Sequence, residues 1–244
     1  MPDRTEIHWT YDPPDFFEAD HVFSNGDYSL SAKDGELAIA LSTPQSPIPK
    51  DLDERIREQV TLLFRARRMQ NRRTYVLQGP RIEQHEGSGK TTSVPLSGID
   101  SISVMGIADI CVVDPSGKVT GDTKAERIAN LEDLVLAAQR SPVLASLLAS
   151  LERADSDPAD FLVHLYEVRD GLAKCYAGAN NARLALGISD WDWSWFGKLA
   201  NKEPLNEGRH RGQNYTSLRD ATPDELDKAW KMIETWIEAF AATV

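Results

Sequence analysis

Two clusters of basic residues are the parts of this sequence best suited to binding chemistry. The first lies in the stretch RARRMQNRR, which holds five arginines and no acid: Arg65, Arg67, Arg68, Arg72 and Arg73. The second lies between two glycines: Arg209, His210 and Arg211. Guanidinium groups bind phosphates and carboxylates through charge-assisted hydrogen bonds, and glycines let a backbone approach a ligand closely. These eight residues are the candidate ligand-binding residues for an anionic partner.

A structural role is the alternative for both clusters. Arginines at a helix end are often solvated or paired with acids, and this is the structural alternative for the first cluster. In the second cluster the arginines would pair with Glu203, Glu207 or Asp220 and fix the path of a loop between helices. The sequence favours such pairing over ligand binding for Arg209 and Arg211.

A magnesium site is a third candidate. Asp109 and Asp114 stand near the end of a strand-like run, and Asp122 and Lys124 follow with D-x-K spacing. Such carboxylates can hold Mg²⁺, which activates a water at a phosphodiester. The pattern resembles the core of PD-(D/E)xK nucleases. Turn chemistry explains Asp114 equally well, and Asp122 could cap the helix after it, so we expect no cofactor unless the nuclease alternative holds.

For two further motifs we predict a structural role rather than a functional one. The stretch EGSGKTT is similar to a phosphate-binding loop, but Gln84 stands where that loop needs a glycine and Pro95 interrupts the helix that should follow. We expect an exposed hairpin loop there. His164 lies at the edge of an apolar helical stripe and is predicted to be a hydrogen-bonded core histidine rather than a base.

Composition limits the class of protein. The 244 residues carry a net charge of −11, which opposes non-specific binding to nucleic acid over the whole surface. No segment is apolar over the length that a membrane helix needs, and the amino-terminal stretch has no apolar h-region. Cys111 and Cys175 lie far apart in apolar runs and are expected to be buried, reduced thiols. We predict a cytoplasmic bacterial protein with no membrane association.

Mixed elements are predicted for the first half of the chain. Ile7–Tyr11 indicates a strand, and Asp34-Gly35 between alternating apolar residues is a strong hairpin signal. Apolar residues recur at helical spacing over residues 51–69 and again over 124–139. Further strands are expected between residues 101 and 120, which makes this half an α/β mixture.

The last third is predicted to be helical. Ser189 with Asp192, and Thr222 with Glu225, match the capping box at the start of a helix. With the first half, these signals predict an α+β fold. We place a module of β-hairpins and helices at 1–140, a helix and linker at 141–156, and an all-α helical bundle at 157–244.

The helix after Ser189 carries three tryptophans. Trp191, Trp195 and Leu199 lie at i, i+4 and i+8, and we predict that they form its buried stripe. Trp193 then faces the opposite side, where exposure would indicate a partner surface. Residues 182–199 are also similar to a helix-turn-helix, but the second helix offers acids and indoles where DNA readers offer cations and amides, so packing is preferred.

The carboxy-terminal third resembles two groups of proteins. The strings LGIS, GKLAN, GRHRG and ATPDEL are similar to a segment of bacterial MauJ-like (methylamine utilisation) proteins. The helical arrangement is also similar to HEPN domains, helical bundles found in RNA cleavage and phage defence. That resemblance implies catalysis by an arginine and a histidine with four to six residues between them. No histidine here has an arginine at that spacing before it. Arg209 and His210 are the catalytic candidates of this alternative.

The leading functional hypothesis is a non-catalytic binding or regulatory protein that engages an anionic or protein partner, or a second copy of itself. The alternative is a nucleic-acid-processing enzyme: a HEPN-like ribonuclease at Arg209 and His210, or a PD-(D/E)xK-like nuclease at Asp109, Asp114 and Asp122. A role in phage defence belongs to that alternative.

Overall fold

A computed structural model describes most of the chain. The described residues, with backbone alone between 91 and 129, are 3–17, 19–85, 91–95, 99–101, 111–113, 119–211 and 217–244. The predicted α+β class is confirmed, because strands dominate the first half and helices the second. The chain forms two compact units: Met1–Thr61 with Asn71–Asp133, and Leu62–Gln70 with Leu134–Val244.

The first unit is built on an antiparallel sheet of seven strands in the order β2-β3-β4-β1-β5-β6, with β7 also paired to β5. The strands are β1 (Arg4–Asp12), β2 (His21–Ser24), β3 (Tyr28–Lys33), β4 (Glu36–Leu41), β5 (Val76–His85), β6 (Thr91–Pro95) and β7 (Ile99–Ser101). A separate two-stranded sheet contains β8 (Cys111–Val113) and β9 (Val119–Asp122). The predicted strands near residues 101–120 are confirmed in part, since residues 102–110 and 114–118 lie outside the described residues.

Alternation of side chains explains the strands at the centre of this sheet. Ile7, Trp9 and Tyr11 point to one face of β1 and are buried, as the two-residue period of a half-buried strand requires. The hairpin predicted at Asp34-Gly35 joins β3 to β4. Gly35 has φ +86°, a backbone conformation that glycine adopts without the strain of a Cβ atom.

Seven helices are described. They are α1 (Lys50–Asn71), α2 (Thr123–Arg140), α3 (Pro142–Ser156), α4 (Phe161–Cys175), α5 (Ala179–Leu186), α6 (Asp190–Asn201) and α7 (Pro223–Ala241). The second unit contains α3 to α7 and the end of α1. Its apolar stripes meet in one core, in which Phe161 stacks on Trp230 at 6.1 Å and Trp193 on Trp236 at 5.1 Å between ring centroids.

Both predicted caps start helices of this unit, and the reciprocal capping box is complete at Thr222. Ser189 Oγ accepts from Asp192 N at 3.0 Å at the start of α6. Thr222 Oγ1 accepts from Glu225 N at 3.2 Å, and Glu225 Oε2 accepts from Thr222 N at 2.8 Å at the start of α7. Each bond satisfies an amide that the helix itself leaves without a partner.

Glu225 also makes α7 sensitive to acid. The two carboxylate oxygens accept from the Arg219 guanidinium at 2.7 and 2.8 Å. This pair, with the hydrogen bonds to Thr222, lowers the pKa of Glu225 to about 2, and burial opposes the shift. The folded carboxyl therefore holds its proton less tightly than the unfolded one, whose ordinary pKa is 4.5.

We expect Glu225→Gln to lower the free energy of unfolding at pH 7 by about 1–2 kcal/mol, and the difference from wild type to vanish as pH falls through 4.5 to about 2. Urea unfolding at a series of pH values measures it. Asp224→Asn removes a carboxylate from the same turn outside the Arg219 pair and serves as control. An equal loss in both variants, or a difference that persists in acid, would contradict the assignment.

Candidate functional site

The first arginine cluster is engaged in ion pairs within the second unit. Arg65 Nε lies 2.7 Å from Glu152 Oε2, and Arg68 Nε lies 2.8 Å from Asp155 Oδ2. The Arg68 and Asp155 side chains are only 4% and 12% exposed, and Arg67 is buried beside them on α1. These pairs fasten the end of α1 to α3. An anionic ligand would have to displace a carboxylate that already holds the guanidinium.

The last two arginines of that cluster belong to the first unit. Arg73 Nη2 lies 2.6 Å from Asp15 Oδ1, and Nη1 donates to the Asp15 carbonyl at 2.9 Å. Arg72, half-buried, has φ +47° where the chain leaves α1. The five arginines are thus divided between two units. The geometry favours the structural alternative for Arg65, Arg68 and Arg73, and ligand binding by the cluster stays a prediction.

The second cluster holds a loop against α4. The Arg209 guanidinium lies over the Tyr166 ring at 4.2 Å, and its Nη1 is 3.5 Å from Asp170 Oδ2. Arg211 Nη1 donates to the carbonyls of Ala159 and Asn206 at 2.8 Å each, and its Nη2 donates to the Asp160 carboxylate. His210 occupies the turn between them.

Pairing in this loop was predicted, but with the wrong acids. Asp220 accepts from Asn206 Nδ2 at 2.6 Å, Glu207 accepts from Ala221 N at 3.0 Å, and Glu203 lies 2.9 Å from Lys198 Nζ. The acids nearest in sequence bind a side-chain amide, a backbone amide and a lysine instead. The arginines reach α4 instead because the loop folds back on it.

The predicted magnesium site cannot be assembled from the described residues. Asp109 and Asp114 lie outside them. Asp122 ends β9 and Lys124 lies in the first turn of α2, with backbone alone described at both. The phosphate-loop-like residues 86–90 also lie outside, and Thr91–Pro95 forms β6. The nuclease alternative stays a prediction.

The structure brings together one cluster that sequence reasoning missed. Ligand atoms of Asp157, Asp160 and His164 lie within 4.8 Å of one another at the start of α4. His164 Nδ1 is also 3.4 Å from Glu167 Oε2. This histidine therefore has carboxylate partners, as expected of a hydrogen-bonded structural histidine. The i, i+3, i+7 spacing was the available signal. Because Arg211 already neutralises Asp160, the cluster is better suited to holding the loop than to holding a metal ion.

The predicted buried face of α6 is wrong. Trp193 is only 4% exposed, and Phe196, Leu199 and Ala200 complete the buried face, whereas Trp191 is 59% exposed. Trp193 stacks on Trp236 of α7, and the Arg169 guanidinium lies 4.5 Å from the centroid of the Trp193 ring. Indoles occur on both sides of α6, so helical periodicity alone selects neither side.

The exposed side of α6 carries an organised aromatic pair. Trp191 and Trp195 stack at 6.3 Å between ring centroids with their planes 20° apart. Lys228 Nζ of α7 lies 4.1 Å from each centroid. This is the geometry of a cation–π contact, repeated on two rings. We call Trp191, Trp195 and Lys228 the indole face.

A groove borders the indole face through Lys228. Its volume is about 540 Å³, and it runs along α7 beside the start of α6. The lining includes three aspartates and two lysines: Asp192, Asp224, Asp227, Lys228 and Lys231. Apolar rings and acidic walls therefore lie next to each other. Such a surface suits a positively charged partner group whose remaining part is flat or aliphatic.

Comparison with known proteins leaves this geometry as the guide to function. No family model matches the chain, and no curated protein or solved structure matches it significantly. In the part of the chain that is described, no single helix is long and apolar enough to cross a membrane. One pair of helical segments, 130–140 and 142–156, meets that test only when joined across a 119° bend.

We expect Arg68→Ala to lower the free energy of unfolding by about 3 kcal/mol, because it leaves the Asp155 carboxylate buried without its partner. Urea unfolding measures the loss. In the double variant Arg68→Met, Asp155→Leu the loss should be smaller, since no charge is left uncompensated. A single variant with wild-type stability and reduced binding to heparin would instead assign Arg68 to a ligand.

We expect Trp193→Ala to lower the free energy of unfolding by about 3–5 kcal/mol, because it empties the space between α6 and α7. Trp191→Ala, on the same helix but at an exposed position, should cost less than about 1 kcal/mol. Urea unfolding of the two variants side by side measures the contrast. Equal losses would contradict the assignment of faces.

Proposed function

We propose that this chain is a non-catalytic binding protein that docks a protein partner on the indole face. The observation that supports the proposal is the stacked pair of the exposed Trp191 and the half-buried Trp195. Tryptophan is among the residue types that contribute most to protein–protein affinity, because one side chain buries a large area at a small entropic cost.

The rigidity of α6 supports the same role. The buried side of the helix packs through Trp193 and Phe196 onto Trp236, at 5.1 and 5.7 Å between ring centroids. The helix start is capped by Ser189. Because packing and capping both hold α6 in place, its exposed side presents the indoles in a fixed orientation. A partner then does not have to order them on binding.

The indole face supports a protein partner better than the arginine clusters support an anionic one. Arg65, Arg68 and Arg211 are committed to carboxylates. Binding to a polyphosphate needs cations that neutralise its phosphates and displace their counterions, and these arginines already neutralise carboxylates. Binding to an anion remains the weaker form of the proposal.

We also propose that the protein acts in the bacterial cytoplasm. The support is Cys175 at the end of α4, a free thiol, which is typical of a reducing compartment. Its predicted burial is wrong, because the residue is exposed on the last turn of the helix. Catalysis would contradict the proposal: degradation of RNA or DNA that depends on Mg²⁺ and Asp122, or on His210 without metal, would assign the chain to the nuclease alternative and reopen a role in phage defence.

We expect a photo-crosslinking residue at position 191 to give a discrete adduct with another protein in cells. The same residue at position 22 is the matched control, because Val22 is 61% exposed and lies on β2 in the other unit. Mass spectrometry of the adducts identifies the partner. Trp195→Ala should abolish the adduct. An adduct with a second copy of this chain would keep docking and replace the partner by self-association, whereas equal labelling from both positions would contradict the proposal.

A further inference from the structure

On the basis of the proposed function, we infer that the indole face recognises an arginine side chain in a basic segment of the partner. Lys228 acts there as a built-in competitor. The starting observation is that the protein already seats a cation of its own on these rings, with Lys228 Nζ 4.1 Å from both centroids. A long aliphatic stem that ends in a positive charge therefore fits the face.

Lys228 can leave the rings at little cost. Asp224 stands four residues before Lys228 on α7, the spacing at which an acid and a following lysine pair across one helical turn. Among the described residues, no ion pair joins Lys228 to an acid in the present arrangement. Lys228 thus has two alternative partners, the indoles and Asp224. An incoming cation can occupy the indoles, and Lys228 can then pair with Asp224.

The groove supplies the attraction that brings a cation to this position. Asp224 and Asp227 are exposed, and Asp192 is half-buried on the facing wall. Their carboxylates lie in the same groove as Lys228 and outnumber its two lysines. A chain with a net charge of −11 adds a long-range field of the same sign. The partner segment is therefore basic.

Arginine fits better than lysine. A planar guanidinium stacks on an indole and still directs its N–H groups sideways to a carboxylate, which an ammonium cannot do in a fixed geometry. Guanidinium groups already lie over aromatic rings elsewhere in this unit: Arg169 lies 4.5 Å from the centroid of the buried Trp193 ring, and the exposed Arg209 lies 4.2 Å from that of Tyr166. Free lysine-rich segments and quaternary ammonium ions serve as the comparison ligands.

The test is a titration of the full chain with a glycine–arginine repeat peptide, followed by calorimetry. A glycine–lysine repeat, a glycine–citrulline repeat and tetramethylammonium are titrated in parallel. We expect the arginine peptide to bind most tightly and the uncharged citrulline peptide not to bind. Lys228→Ala should tighten arginine binding about fivefold to tenfold, because the competing cation is gone. Trp191→Ala and Trp195→Ala should each weaken it at least tenfold.

Lys231→Ala is the matched control. It removes the same charge from the same groove, but Lys231 is not part of the indole face. Tightening below about twofold in Lys231→Ala, against the larger effect of Lys228→Ala, supports competition on the rings. Equal tightening in both variants would reduce the effect to groove charge and overturn the inference. So would arginine binding that survives the loss of either tryptophan.

The outcomes also separate this inference from the proposed function. A crosslink from position 191 without binding of the arginine peptide to wild type or to Lys228→Ala would overturn the arginine assignment and leave partner docking intact. Absence of both the crosslink and peptide binding would overturn both. Stronger binding of the lysine peptide or of tetramethylammonium would replace arginine by an ammonium ligand and overturn the assignment of the guanidinium.

Discussion

The contact between α6 and α7 determines most of what the second unit presents to its surroundings. Trp236 is held from two sides, stacked on Trp193 at 5.1 Å and met edge-on by Phe196 at 5.7 Å. With that side of α6 inside, residues two positions before or after Trp193 lie about 200° around the helix axis. Trp191 and Trp195 must then face outwards. The exposed aromatic pair is therefore a consequence of core packing.

Ion pairs play the corresponding role for the charged residues. The cations that look available in the sequence are engaged by carboxylates from other segments: Arg65 and Arg68 by α3, and Arg209 and Arg211 by residues at or near α4. Of these pairs Arg68–Asp155 is the buried one, and the desolvation of both charges offsets much of the stability that such a pair would add. Acids outnumber bases in the chain, and Asp224 and Asp227 are exposed on α7. The surface beside the indole face is acidic for that reason.

Surface aromatic residues and surface acids meet at Lys228, which belongs to both the indole face and the groove. A residue with two alternative partners of similar strength is a natural point of exchange with an incoming group. The proposed site lies on the rigid helices of the second unit. The first unit, with its antiparallel sheet, has no part in that site. The magnesium and phosphate-loop hypotheses concern segments of that first unit outside the described residues or described as backbone alone.

Local signals determined the secondary structure. The Asp34-Gly35 hairpin and the caps at Ser189 and Thr222 appear where the sequence predicts them, because each depends on a few neighbouring residues. The α+β class follows from such signals together.

Only the tertiary structure decided which side of α6 is buried and which acids hold the arginines. Both sides of α6 carry indoles, so the choice between Trp191 and Trp193 depends on the shape that α4 and α7 offer. The partners of Arg68 and Arg211 lie 87 and 51 positions away in the chain. Spacing along a sequence predicts contacts within one helix or strand. Packing between two elements depends on the side chains of both, so the residue pattern of one element cannot determine it.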